Sequence, residues 1–273
     1  MQHVVQQVAS RYGLTMLMIG HAGDGNVHPV ILYDGTDIHA VNKASRAAHD
    51  VISAALEIGG TITGEHGVGS EKIPFMRDHL RPAEIAAMRV VKHAFDPTGI
   101  LNPGIMFPES TSDEPSLPLL TTTMRVVIAN RQNNKEIDIL EAIQPKTAQT
   151  QESREDDIQL DTENLTVNVQ ANVSIQKLQN RLTDAGYYCS ALQHIHNEEQ
   201  FVSVHTLLSL PRYRAAVRNT LLEVDVTLAD GIPARFGSNV VKDVAGYDMK
   251  RLFIGSNSLF GMVKKARFQI RHR

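Results

Sequence analysis

Two stretches of the chain carry the side chains best suited to chemistry. Residues 21–28 read His-Ala-Gly-Asp-Gly-Asn-Val-His, and residues 59–69 read Gly-Gly-Thr-Ile-Thr-Gly-Glu-His-Gly-Val-Gly. They place His21, His28, His66 and the Glu65 carboxylate on glycine-rich loops. Glycine permits the positive backbone angles of a tight reversal, and Asp24 and Asn26 tolerate the same region. A reversal between two strands brings His21 and His28 to one end of a sheet. Two imidazoles and a carboxylate make an open site for a divalent metal, with positions left for substrate oxygens. His66, beside Glu65, is then free to act as a base. The competing reading is structural: the loops are tight because the turns demand it, and the histidines satisfy buried backbone groups. Spacing alone leaves both open.

The elements around these loops follow from periodicity. Met1 to Tyr12 is helix-like, and the apolar run from Leu14 to Ile19 reads as a buried strand. The loop 20–26 reverses the chain into a second apolar run, Val27 to Tyr33. Between Ala40 and Ile58 the apolar residues Val41, Ala44, Ala48, Val51, Ile52, Ala55 and Leu56 have helical spacing, and Gly59-Gly60 stops that helix. A short strand is expected to follow, ahead of Glu65. Another helix starts at Pro82, carries Ile85, Met88, Val91 and Phe95 on one side, and ends at Asp96-Pro97. Residues 1–107 thus form one unit.

Residues 108–123 hold three prolines among Ser, Thr, Asp and Glu, the composition of a linker. The second unit, 124–273, opens with a strand candidate at Met124–Ala129 and a polar, acidic insert at about 144–163. Leu165 to Gln170 alternates as a strand. Ser174 caps a helix bearing Ile175, Leu178 and Leu182 that stops at Gly186. Strands are expected at Phe201–Leu208 and Glu223–Leu228, with a short helix from Pro211 between them, a turn at Ala229-Asp230-Gly231, and short strands up to Gln269. The order of elements is α+β in both units.

Composition bounds the partners. A chain of 273 residues with 42% apolar and 21% charged residues is ordinary for a soluble globular protein, and a net charge of −3 gives no reason to expect nucleic acid. Cys189 stands alone, which excludes internal disulfides and a cysteine-ligated iron–sulfur cluster. No charged-then-apolar leader is seen and no apolar run is long enough to span a bilayer, so the cytoplasm is the expected location. Residues 250–273 hold Lys250, Arg251, Lys264, Lys265, Arg267, Arg271 and Arg273 and no acid. That cluster is either a solvated strand face or a docking patch for an acidic partner. His194, His196 and His205 lack a carboxylate pair to complete a metal site, and a solvent-facing role is expected for the His194-x-His196 pair.

Three motifs in order, GHAGDGNVHP at 20–29, GGTITGEHGVG at 59–69 and FDPTGILNPG at 95–104, resemble the C-terminal end of the FAD-linked oxidases of the vanillyl-alcohol oxidase/PCMH superfamily. The resemblance is to the branch of the bacterial glycolate oxidase large subunit, with the D-lactate and D-2-hydroxyglutarate dehydrogenases nearby. It implies that His21, His28 and Glu65 are ligands of a divalent metal such as zinc or manganese. It implies that His66 is the base that takes the substrate hydroxyl proton as hydride passes to the flavin, and that Asn102 approaches the flavin ring. A metal so placed would bind the carboxylate and hydroxyl of a small 2-hydroxy acid. Ile105 stands where the family usually has lysine after Asn-Pro-Gly. The family's FAD-binding first half is not part of this sequence, so a partner chain is expected to complete the flavin site and an iron–sulfur subunit to take the electrons.

Residues 160–273 resemble the latter part of a PCMH-type FAD-binding domain, as in the glycolate oxidase small flavin subunit. The likeness rests on the stretch from Ala234 to Ser256. It implies that Gly246, Tyr247 and Asp248, and the turn Gly255-Ser256, lie close to FAD. The phosphate-cradling glycines depart from the pattern: none occurs between Leu192 and Glu223, Asn172 replaces one, and Gly255 to Gly261 reads Gly-Ser-Asn-Ser-Leu-Phe-Gly. The leading expectation is an FAD-linked oxidoreductase component. Its rivals are a non-catalytic assembly subunit and a truncated or fused remnant of such a complex.

Overall fold

The computed structural model describes residues 1–115, 157–193, 195, 202–228, 231–256 and 258–273. The strand expected at 124–129, His194, His196, Phe201, most of the polar insert and most of the turn at 229–231 lie outside the described residues. Helix α1 (Gln2–Tyr12) buries Val5 and Val8 and ends on Gly13 in the left-handed conformation. Strands β1 (Thr15–His21) and β2 (Asn26–Leu32) form an antiparallel hairpin. Helix α2 (Ile38–Glu57) starts at Asp37, whose carboxylate accepts from the His39 amide at 2.9 Å. Val5, Val8, Ala47 and Val51 make the core between these helices, with Met16 and Ile31 packed against it.

The 14–19 run is a strand as expected, yet it is not buried. Met16 and Ile31 are register partners and point at the helices. The opposite face carries Leu17, Ile19 and Leu32, and Ile19 is 62% exposed. Side chains alternate across a strand, so a hairpin covered on one side leaves every second residue uncovered.

The short strand expected ahead of Glu65 does not form. Residues 60–72 run as an irregular segment held by residues far along the chain, where the Val244 amide donates to the Thr63 carbonyl at 3.1 Å. A 3-10 turn (Ile73–Phe75) and α3 (Met76–His79), both unforeseen, carry Phe75 and Met76 into a small core with Ile62, Val68 and Ala245. Helix α4 (Pro82–Phe95) begins after Arg81, whose amide donates to the Glu84 carboxylate at 2.8 Å. Ile85 and Met88 are buried, but Phe95 is 77% exposed, because the last turn extends past what the helix packs on. Residues 108–115 of the expected linker are anchored: the Glu114 carboxylate pairs with Arg77 at 3.0 Å and Arg89 at 2.9 Å.

β3 (Ile158–Asp161), inside the expected insert, pairs with β4 (Thr166–Gln170). Ser174 caps α5 (Ile175–Asp184), its hydroxyl accepting from the Lys177 amide at 3.3 Å. After β5 (Tyr187–Tyr188), the expected strand at 201–208 is instead helix α6 (Val204–Ser209). The Ser203 hydroxyl accepts from the Thr206 amide, and Val204, Leu207 and Leu208 are buried at helical spacing. A 3-10 turn (Pro211–Tyr213) and α7 (Arg214–Val217) lead into β6 (Leu221–Thr227). β7 (Pro233–Gly237), α8 (Lys250–Phe253), β8 (Met262–Gln269) and β9 (Arg271–His272) follow. Five strands make one antiparallel sheet in the order β3-β4-β8-β6-β7, and β5 pairs with β9. Val167, Val169, Leu178, Leu182, Leu207, Phe236 and Phe268 fill its core, and Met88 of α4 belongs to the same cluster. The fold is α+β.

Candidate functional site

Hairpin register explains why two histidines seven residues apart converge. Ile19 pairs with His28, and His21 lies two residues beyond Ile19. With a period of two, His21, Ile19 and His28 share one face. The reversal is set by Gly25, at φ 72°, whose amide donates to the His21 carbonyl at 3.1 Å, while the Asp24 carboxylate accepts from the Asn26 amide at 3.2 Å. The imidazole rings of His21 and His28 lie 5.2 Å apart, edge to face.

Glu65 arrives from the irregular segment. A Cβ at Gly64 would stand 2.7 Å from the Asn26 side-chain oxygen, so the glycine lets the segment approach the hairpin without displacing the Asn26 amide. The two Glu65 oxygens then face one imidazole each, at 3.5 Å from His21 Nε2 and 3.6 Å from His28 Nε2. One donor atom from each of the three residues lies within 4.8 Å of the other two. This donor set, two ring nitrogens and a carboxylate at the solvent edge, fits a borderline divalent cation. The His66 ring lies 5.3 Å from that of His28 and is exposed.

A fourth participant comes from the far end of the sequence. Lys242 Nζ donates to Glu65 Oε1 and lies 3.0 Å from Asp24 Oδ2. Its ammonium holds the Glu65 and Asp24 carboxyls below the usual carboxylate range, and the two carboxylates in turn push the Lys242 pKa up. Neighbouring bonds fix this segment: the Thr61 hydroxyl donates to Asp243 at 2.9 Å, and Asp243 also accepts from the Ala245 amide at 3.0 Å. The sequence offered no role for Lys242, since no local signal pairs it with a residue 177 positions away.

The other expected site residues are scattered more widely. Asn102 is exposed, at φ 45°, in a turn whose neighbour Met106 donates to the Gly69 carbonyl at 3.0 Å. Tyr247 and Asp248 line a narrow crevice with Leu80, Met88, Arg235 and Lys250, and the Tyr247 ring stands 5.9 Å from that of Phe107. Gly246 is filled from within: a Cβ there would meet Met88 Sδ at 2.5 Å. Gly255 sits against Pro211 and donates to the Leu208 carbonyl at 2.7 Å, and the Ser256 hydroxyl donates to the Phe253 carbonyl. His205 is partly buried, with Nε2 at 3.3 Å from the Ser209 hydroxyl and 3.2 Å from that of Ser258.

Residues 1–106 match the family described as FAD linked oxidases, C-terminal domain. The match is to the FAD-linked oxidases. It is 42% identical over 107 residues to "Glycolate oxidase subunit GlcD" of Bacillus subtilis, covering 39% of this chain and 23% of the relative. It is 39% identical over 104 residues to the Escherichia coli subunit of the same description, covering 38% of this chain and 21% of the relative. With "D-lactate dehydrogenase [cytochrome], mitochondrial" of Arabidopsis thaliana it shares 38% over 95 residues, 35% of this chain and 17% of that one. The chain therefore spans about a fifth of the length of these relatives. A solved structure of alkyldihydroxyacetonephosphate synthase superposes with a TM-score of 0.32 at 15% identity, over 42% of this chain and 21% of that chain, too low to carry an argument. All the candidate metal ligands, with His66 and Asn102, fall inside the FAD-linked oxidase segment. Among the described residues no helix is long and apolar enough to cross a membrane.

Proposed function

We propose that this chain is a component of an FAD-linked oxidoreductase that oxidises a small 2-hydroxy acid of the glycolate or D-lactate type. The observation that carries the reading is the convergence of His21, His28 and Glu65 within a segment of FAD-linked oxidase sequence. In this reading those three side chains hold a divalent metal such as zinc or manganese, which supplies Lewis-acid polarisation of the substrate carboxylate and hydroxyl when bound. FAD supplies the hydride acceptor. His66, exposed beside His28, takes the substrate hydroxyl proton. The hairpin face fixes His21 and His28, so the acid is oriented by groups that do not need to rearrange.

The division of labour follows the same proposal. Residues 1–107 form the substrate and metal segment, 108–123 the linker, and 124–273 a partial PCMH-type FAD-binding domain. Asn102, Gly246, Tyr247, Asp248, Gly255 and Ser256 lie on the flavin side. Gly246 and Gly255 are packed against Met88 and Pro211 of this chain, so the remaining flavin contacts are assigned to a partner subunit, with an iron–sulfur subunit as the electron acceptor. The assembly is placed in the cytoplasm.

That same packing favours a second reading, a non-catalytic assembly subunit, since both glycines have a reason to be glycine without a cofactor. Replacing His66 by Ala in the reconstituted complex separates the two. A loss of turnover on the order of 100-fold or more, with assembly unchanged, supports the catalytic reading; unchanged turnover supports the assembly reading. A visible spectrum of the purified chain alone reports whether any flavin is carried by this subunit.

A further inference from the structure

The Lys242 ammonium stands where a divalent cation would find its carboxylates. Nζ bonds Glu65 Oε1, the same oxygen that lies 3.5 Å from His21 Nε2, and it also reaches Asp24 Oδ2 at 3.0 Å. Both acids belong to the FAD-linked oxidase segment, whereas Lys242 belongs to the second unit. The contact is not a loose surface pair. Lys242 is half-buried, and its neighbours are tied to the 61–63 segment by Asp243 and by the Val244 amide. The backbone therefore delivers the charge to this spot.

We propose that Lys242 is a tethered competitor for a divalent cation at Glu65, so that the second unit sets the metal affinity of the first. The inference rests on the reading that His21, His28 and Glu65 hold a metal. A dication between those three side chains meets a fixed positive charge on the same carboxylate. It must displace the ammonium from Glu65 or bind within a few ångströms of it. Because coupling of two binding events is reciprocal, metal binding also loosens the hold of Lys242 on Glu65 and Asp24.

The test is a calorimetric titration of zinc into the full chain at low salt, comparing the wild type with Lys242→Met and Lys242→Arg. The expected result is binding on the order of tenfold tighter in Lys242→Met, with Lys242→Arg close to wild type because the charge remains. Adding His21→Ala to Lys242→Met is expected to abolish that tight binding. Should Lys242→Met fold poorly, Lys242→Gln keeps a donor for Asp24 and removes the charge. Equal affinity in all variants overturns the competition while leaving the metal reading intact. Absence of zinc binding in the charge-free variants, or tight binding that survives His21→Ala, overturns the metal reading and the competition with it.

Discussion

The β1–β2 hairpin and the five-stranded sheet are built from similar residues and treat them in opposite ways. Val167, Val169, Val224 and Phe268 are fully buried in the sheet, while Leu17, Ile19 and Leu32 of the hairpin are each more than half exposed. Both are antiparallel and both are rich in aliphatic side chains, so strand propensity does not separate them. What separates them is the layer above. Helices α5 and α6 press Leu178, Leu182, Leu207 and Leu208 into the sheet core, whereas α1 and α2 reach only the Met16 and Ile31 side of the hairpin. The uncovered side is the one that carries His21 and His28. The first segment puts its candidate ligands on an exposed face, and the segment with the core supplies Lys242 and the anchoring bonds.

The largest expected effect breaks this contrast if it fails. Phe268→Ala should cost about 3–5 kcal/mol, the range for emptying a packed aromatic site, whereas Ile19→Ala should stay within about 0.5 kcal/mol. Urea denaturation of the two variants reads the difference, and equal losses would mean that the hairpin face is covered in solution. Next is Glu84, buried at the junction, whose carboxylate accepts from the Arg81 and Arg235 amides, each at 2.8 Å. Glu84→Ala should cost about 1–3 kcal/mol, since it orphans two donors, and should split a single unfolding transition into two.

Acid sharpens the comparison further. Burial lowers the pKa of His79, next to the hairpin-side loop, and of His205, on the sheet side. An imidazole held neutral in the fold but free to charge when unfolded gives stability that is present above its unfolded pKa. That stability is lost as pH falls from about 6.5 through the lowered folded values. Urea midpoints measured from pH 8 to 5 should decline, and His79→Gln and His205→Gln should each flatten part of the slope. The smallest effect on stability belongs to Cys189, buried in the sheet core with its thiol pushed up to about 11. Near neutral pH a chromogenic disulfide should label it only as fast as the protein unfolds; prompt labelling of native protein would mean that this part of the core opens.

The sequence made the helices and the hairpin legible because their periods are local. The shared face of His21 and His28 is legible too, since a tight turn fixes the register that sets it. Glu65 is recognisable as chemistry but not as geometry: Thr61-Ile62-Thr63 has β-branched strand character, yet among the described residues no strand pairs with it and the segment docks on Val244 instead. The run after Val202 is ambiguous in the sequence because a short apolar stretch fits either period, and the Ser203 cap decides for helix. The basic residues at 250–273 form a group in the sequence, whereas Lys242, outside that group, reaches the site. Only tertiary structure pairs it with Glu65 and Asp24.

Strand order also bears on how the protein is made. β8 lies between β4 and β6, so the ribosome delivers both flanking strands before the one that joins them. A nascent chain that has not yet exposed Met262 carries two open sheet edges, each a template for pairing with another molecule. At about 5–20 residues per second the interval is a matter of seconds, long enough for chaperones to matter and for crowded polysomes to cross-pair. Slowed elongation just upstream of β8 would therefore lower the yield of folded protein without changing a single residue of it.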